Sequence, residues 1–344
     1  MVEQEEVLRV EELRTYFYTQ EGVVRAVDGA SFAVRRRRVL GIVGESGCGK
    51  SVAAQSILRI VPPPGRIVGG KILYQRQLND EKTGGAFEML DLTELHPRGP
   101  EMREIRGGEI SMVFQEPMTS LDPVYTVGDQ IMEAITLHQK VNRREARLRA
   151  IEMLDQVGMP RPEETVDSYP HQLSGGMRQR VMIAIALSCH PSLLIADEPT
   201  TALDVTTEAQ ILDLMRSLQQ QMGTAIIYIT HNLGVIAEMC DDVAVMYLGK
   251  VVEQSDVDAL FYDPRHPYTQ ALLRSIPRIG QKTKKRLEPI KGIVPDPYAI
   301  PQGCPFWPRC THVMPGLCDQ QPPDYVPVAP NHSVRCHLYR QERI

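Results

Sequence analysis

No stretch of the 344 residues offers the ~20 clean apolar positions that a membrane-spanning helix needs. The most apolar long segment, residues 181–196, is broken by His190 and Pro191, so the chain is not expected to cross a bilayer by itself. The first six residues are acidic and lack an apolar core, which argues against a secretory signal. An excess of charge of one sign is also missing, with 38 Lys and Arg against 43 Asp and Glu, a net −5. That balance argues against a whole-surface nucleic-acid binder and leaves only local patches such as Arg35-Arg36-Arg37-Arg38. Neither internal repeats nor low-complexity tracts occur. What remains, at 42% hydrophobic and 24% charged, is an ordinary globular chain long enough for about two domains.

The cysteines are few but unevenly placed. Three of the seven (Cys48, Cys189, Cys240) are scattered, while Cys304, Cys310, Cys318 and Cys336 crowd the last 41 residues. Without a secretory signal the compartment is expected to be reducing, so four clustered thiols read as metal or cluster ligands before disulfides. Their spacing, C-x5-C-x7-C-x17-C, lacks the tight C-x2-C knuckle of structural zinc. The residues alone therefore leave zinc, an iron–sulfur cluster and free thiols open. His332, close to Cys336, reads as a capping or surface residue rather than a ligand.

Along the chain, residues 23–27 and 30–34 look like strands with Asp28-Gly29 as a turn between them, and the four arginines look like a solvated turn. A buried strand over 39–43, a Gly-rich loop and a helix from Lys50 follow, the opening of a parallel α/β sheet. Residues 62–108 read as irregular connections around short strands, and 127–158 as helical. Strand-like runs return at 193–196, 225–229 and 243–247, the last turning at Leu248-Gly249-Lys250 into a further strand, and an amphipathic helix covers 209–215. After about residue 263 the composition shifts toward Pro, basic residues and Cys.

Two motifs carry chemistry. Gly44-Glu45-Ser46-Gly47-Cys48-Gly49-Lys50-Ser51, continued by Val52, fits G-x-x-x-x-G-K-[ST] in its strand–loop–helix context. Glycines there let backbone N–H groups converge on phosphate oxygens, and the helix N-terminus adds positive potential. Lys50 would reach the β- and γ-phosphates and Ser51 would ligate Mg²⁺. Cys48 reads as a small tolerated side chain, not a nucleophile. The second motif is the apolar run 193–196 ending in Asp197-Glu198: Asp197 can hold the metal through its water shell, and Glu198 can polarise a water for in-line attack. The bland alternative makes both carboxylates helix caps.

Ahead of that strand, Leu173-Ser174-Gly175-Gly176-Met177-Arg178-Gln179-Arg180 resembles the signature motif of the ATP-binding cassette (ABC) ATPases. The remaining elements of that family stand in the expected order. Gln115 in Val113-Phe114-Gln115-Glu116-Pro117 matches the Q-loop, Ala202-Leu203-Asp204 the D-loop, and His231 the switch histidine. The resemblance implies an α/β, P-loop cassette: a parallel RecA-like core, an antiparallel β subdomain and a helical subdomain at about 116–175. It also implies a head-to-tail dimer with two ATP molecules between cassettes. Ser174, Gly175, Gly176 and Asp204 would then serve nucleotide held by the partner, Gln115 would couple metal and water to membrane subunits, and His231 would support the transition state. Phe17 or Tyr18 would stack on adenine, or both are plain strand aromatics. Met177 and Asn232 depart from the commoner Gln and Asp, and neither change removes a catalytic group.

The loop, the Q-loop segment 114–123 and residues 175–184 look like the dipeptide/oligopeptide importer ATPases, closer to the D-type subunit than to the F-type. The segment from His266-Pro267-Tyr268 resembles the opening of their C-terminal extension, giving an ATPase domain over 1–263 and a Cys-rich extension over 264–344. By the same resemblance a [4Fe–4S] cluster would sit on Cys304, Cys310, Cys318 and Cys336, with zinc as the alternative. The implied function is ATP hydrolysis powering peptide import from the cytoplasmic face of the membrane. The implied partners are two transmembrane permeases, a sister ATPase and an extracytoplasmic solute-binding protein, with no nucleic acid. The competing readings are a soluble ABC ATPase acting on nucleic acid or ribosomes, and a redox-sensing regulatory subunit.

Overall fold

The computed structural model describes residues 6–77, 86–115, 120–201, 203–275 and 290–340. It comprises two compact units, each assembled from separate chain segments: Met1–Leu8, Val34–Val39 and Tyr74–Ile229 in the first, and Arg9–Ala33, Leu40–Leu73 and Thr230–Ile344 in the second.

The first unit is built on parallel strands. Ile110–Val113 pairs with Leu193–Asp197, which pairs with Ala225–Thr230, in the registers Ile110↔Leu193 and Leu193↔Ala225. Every residue of the latter two strands is buried, because unbroken aliphatic runs suit strands covered on both faces. The carboxyl ends of Ile110–Val113 and Leu193–Asp197 deliver Gln115 and Glu198 to the edge where α/β proteins bind ligands. Helices Val127–His138 and Arg143–Gln156 pack on each other and bury Ile131 and Ile135 on the first, and Ala146, Ala150 and Leu154 on the second, at four-residue spacing. Thr126 and Asn142 cap their first turns, accepting from the amides of Asp129 and Glu145. Helix Val205–Met222 begins at Asp204 and stops at Gly223, whose φ of 68° ends it in a left-handed turn.

In the second unit Val39–Val43 pairs in parallel with Asp242–Tyr247, which folds back antiparallel onto Lys250–Asp256. The two-residue connection places Leu248 and Gly249 at φ 43° and 77°, the paired left-handed geometry that matches strand twist in tight hairpins. His332–Arg335 then adds to Lys250–Asp256, and Tyr325–Ala329 to His332–Arg335, both antiparallel. Strands Gly22–Arg35, Glu6–Thr19 and Gly65–Gln77 lie side by side in that order.

Three sequence expectations change. Asp28-Gly29 is not a turn: one strand runs from Gly22 to Arg35, and Gly29 at φ 85° deflects it without ending it. The Asp28 carboxylate is engaged far along the chain, accepting from the Tyr16 hydroxyl at 2.6 Å and the Lys250 ammonium at 3.0 Å. The 62–108 region is more regular than expected, with a 13-residue strand Gly65–Gln77 and a helix Pro100–Gly108. The arginine turn is present, yet Arg36 is half-buried, donating to the backbone and side chain of Gln75 and lying 4.4 Å over the Phe87 ring.

Candidate nucleotide-binding site

In the second unit, the loop after Val39–Val43 has a backbone that only glycine allows at two points. A Cβ on Gly44 would lie 2.2 Å from the Met246 carbonyl oxygen, and one on Gly49, at φ 100°, would lie 2.1 Å from that of Ala26. Gly47, at φ 76°, instead has nothing within 4 Å of its Cβ position and opens to the surface with exposed Ser46. The Cys48 carbonyl accepts from Gly249 N–H at 2.9 Å, pinning the loop to the hairpin. Burial pushes the Cys48 thiol up, in keeping with a packed, non-nucleophilic side chain. Lys50 opens helix Lys50–Ile57 with its ammonium buried, donating to the carbonyls of Gly44 at 2.9 Å and Glu45 at 3.2 Å. Ser51 and Val52 follow in the first turn. These contacts fix the backbone of residues 44–50 between the strand and the helix N-terminus, the strand–loop–helix arrangement in which phosphate loops are found.

His231 ends strand Ala225–Thr230 exposed, and its neighbour Asn232 caps helix Leu233–Met239 by accepting from Gly234 N–H at 2.9 Å. Asn at this position keeps the cap that Asp would supply. Phe17 lies half-buried against Gly65, whereas Tyr18 is exposed with the Arg66 guanidinium 5.3 Å over its ring.

In the first unit the strand Leu193–Asp197 buries Asp197 and hands Glu198 to a left-handed backbone, φ 46°. Non-glycine residues adopt this conformation at a cost of about 1–3 kcal/mol, and functional sites are where such strain persists. Glu198 N–H donates to the Ile229 carbonyl at 2.9 Å, so the next strand holds it there. Its Oε2 accepts from the Gln115 side-chain amide and the Thr201 hydroxyl, both at 3.1 Å. Gln115 and Glu198, 83 residues apart, are thus brought together. The acidic pair Asp197-Glu198 does not cap a helix: the cap downstream is Asp204, which accepts from the amides of Thr206 and Thr207. Hydrogen bonds from the Thr207 amide and hydroxyl hold the Asp204 carboxyl below the usual range.

Ser174 caps helix Gly175–Leu187, accepting from Met177 N–H at 3.3 Å, and Ser174 and Gly175 are exposed. Gly176 sits where a Cβ would lie 2.7 Å from the Thr207 methyl, so the signature segment abuts the start of helix Val205–Met222. Glu116 to Thr119 of the Q-loop and Ala202 of the D-loop lie outside the described residues.

The cysteine expectation is corrected. The C-terminal segment does gather its thiols, since Cys336 feels Cys304, Cys310 and Cys318 electrostatically. Among the described residues, however, no group of three or more His, Cys, Asp or Glu could hold a metal ion. Metal ligands must be thiolates converging on one ion. Burial chiefly pushes Cys304 up to about 11 and Cys336 to about 12. The Cys310 and Cys318 sulfurs accept from the amides of His312 and Met314. Among the described residues, neither an iron–sulfur cluster nor zinc is supported. Strand pairing and a buried hydrogen bond fix the segment: His332 is buried, its Nε2 2.8 Å from Glu253 Oε1, rather than a surface residue.

Sequence comparison then decides the family. The ABC transporter family model matches residues 27–201, and the model for the oligopeptide/dipeptide transporter C-terminal region matches 252–318. This chain belongs to the ABC transporter family. The cassette is 48% identical to the oligopeptide transport ATP-binding protein AppD of Bacillus subtilis (strain 168), over 98% of each chain. It is 46% identical to the dipeptide transport ATP-binding protein DppD of Escherichia coli (strain K12), over 96% of each. Among solved structures it resembles the dimeric ATP-binding cassette MJ0796 in a post-hydrolysis state with ADP and Pi, at 24% identity and TM-score 0.61, over 73% of this chain and 98% of that one. The fold also matches cbiO1 of Clostridium perfringens, part of the ABC transporter complex cbiONQ, at 29% identity and TM-score 0.58, over 75% and 92%. The cassette therefore has the ABC ATPase fold with mixed α/β sheets, and ATP with Mg²⁺ is the expected ligand pair.

Sequence reasoning missed two residues at the phosphate loop. The Arg309 guanidinium grips the Glu45 carboxylate at 2.6 and 3.0 Å, and the Tyr268 hydroxyl accepts from Glu45 N–H at 3.0 Å. No spacing rule joins residue 45 to residues 268 and 309.

Proposed function

We propose that this cassette is the ATP-hydrolysing subunit of a peptide importer, with residues 1–263 as the ATPase domain, a helical subdomain at about 116–175, and 264–344 as its C-terminal extension. The observation that carries the hydrolytic reading is Glu198, held in strained backbone at a strand end and gripped by Gln115 and Thr201. In this reading residues 44–52 hold the phosphates, with Lys50 shifting from the carbonyls of Gly44 and Glu45 onto the β- and γ-phosphate oxygens. Ser51, Asp197 and Gln115 would hold magnesium, which when bound neutralises charge on the phosphates. Glu198 accepts the proton of the attacking water, and His231 donates to the oxygens that gain charge in the transition state. Ser174, Gly175, Gly176 and Asp204 close the site of a partner cassette, their exposed helix N-terminus being suited to a phosphate. Phe17 or Tyr18 supports the adenine.

The peptide assignment rests on relatives named as oligopeptide and dipeptide transport proteins across nearly the whole chain. Among the described residues no helix is long and apolar enough to cross a membrane. By analogy with those relatives, the reading adds two permease subunits, a sister ATPase and an extracytoplasmic solute-binding protein, and puts the cassette at the cytoplasmic membrane face. Glu198→Gln tests the chemistry: ATP turnover is expected to fall by about 100-fold or more while ATP remains bound. Wild-type turnover in that variant would overturn the assignment. A mild-detergent pull-down from native membranes tests the context, with co-purified permeases expected and ribosomal or DNA-repair proteins the refuting result.

A further inference from the structure

Glu45, the second residue of the phosphate loop, is tied at three points within the second unit. Its carbonyl accepts from Lys50, its N–H donates to Tyr268, and its carboxylate receives both arms of the Arg309 fork. Arg309 is itself fixed. Its side chain is 3% exposed, its Nε donates to the Lys291 carbonyl at 3.1 Å, and its guanidinium lies 5.8 Å from the Tyr247 ring and 6.0 Å from that of Phe306. Tyr247, Tyr268 and Phe306 pack mutually at 4.7 to 5.3 Å, so the box that orients Arg309 also orients the Tyr268 hydroxyl. A bidentate Arg–carboxylate pair with a buried guanidinium is geometrically specific, unlike a surface ion pair.

We propose that Arg309 is a positioning residue for the ATP site: reaching from the C-terminal segment, it fixes Glu45 and through it the carbonyl on which Lys50 rests, so that the loop is pre-shaped for phosphate. The inference rests on the reading of residues 44–51 as the phosphate loop. It gives the C-terminal segment a direct hold on nucleotide affinity through its short turn Trp307–Arg309, which lies between Cys304 and Cys310. Because Trp307 is the only tryptophan in the chain and lies two residues from Arg309, the latch carries its own optical reporter.

The test uses the full chain. Affinity for Mg-ATP is measured with a fluorescent ATP analogue, and Trp307 emission is followed during nucleotide titration. For wild type, saturable binding with a change in Trp307 emission is expected. Arg309→Lys keeps the charge but loses the fork, and Glu45→Gln, at a partly exposed residue, removes the carboxylate with little risk to folding. Each is expected to weaken binding roughly tenfold or more, to raise KM far more than it lowers kcat, and to abolish the Trp307 response. In a double-mutant cycle with Arg309→Met the two losses are expected to be strongly non-additive. Wild-type affinity and an unchanged Trp307 response in Glu45→Gln overturn the latch while leaving the loop assignment intact. Strict additivity in the cycle overturns it equally. A folded wild-type chain that takes up no nucleotide overturns the loop assignment, and the latch with it.

Discussion

The phosphate loop and the signature segment both present glycines and a helix N-terminus, yet they are built oppositely. Residues 44–51 are locked by their own unit: Gly44 and Gly49 press against carbonyl oxygens, Lys50 is buried on two others, and Glu45 is clamped. Residues 174–176 are held by one cap and by the packing of Gly176 against Thr207, with Ser174 and Gly175 exposed and the Gly175 Cβ position meeting a Leu203 methyl at 3.9 Å. One is a finished pocket, the other a surface. Glycine in the first is required by backbone sterics at Gly44 and Gly49; in the second it is required by packing at Gly176 and left open to solvent at Gly175.

Substitutions should separate the two. Gly49→Ala forces a Cβ onto the Ala26 carbonyl in left-handed backbone and is expected to cost at least ~3 kcal/mol and to abolish nucleotide binding. Thermal melting and an ATP-binding assay check this, and a stable, ATP-binding variant would break the contrast. Acid should also weaken the finished pocket. Burial pushes His266, whose Nδ1 accepts from Tyr268 N–H, down to about 4. The folded form therefore resists the proton that an unfolded imidazole takes near pH 6.5. At neutral pH this contributes nothing; as pH falls from about 6.5 to 4, folding should lose ~3 kcal/mol, a loss smaller in His266→Asn. Melting curves across that range decide it. Ser174→Ala removes only a cap and should cost about 1 kcal/mol of stability. The smallest effect has the opposite sign: Gly175→Ala should leave stability unchanged or raise it by up to ~1 kcal/mol, as Ala suits a helix better, while ATP turnover falls. If Gly175→Ala unfolds the chain instead, the signature segment is a structural element like the loop.

How much could be read in advance varied with the range of the interactions. The phosphate loop, the strand delivering Asp197 and Glu198, and the hairpin at Leu248-Gly249 were legible because strand, turn and helix signals are local. Asp28-Gly29 misled for the same reason: the pair carries a turn signal, but Tyr16 and Lys250 hold Asp28 in an unbroken strand. The clustered cysteines suggested a metal site, yet among the described residues no group of three or more His, Cys, Asp or Glu could hold a metal ion.

The order of motifs, the helix caps and the apolar runs are written in the sequence, since each depends on neighbours within about a turn of chain. The left-handed strain at Glu198, the approach of Gln115 to it, the clamp of Arg309 and Tyr268 on Glu45 and the burial of His332 against Glu253 were decided by tertiary structure alone. These contacts join residues 79 to 264 positions apart, and only the packed sheets bring such residues within hydrogen-bonding distance.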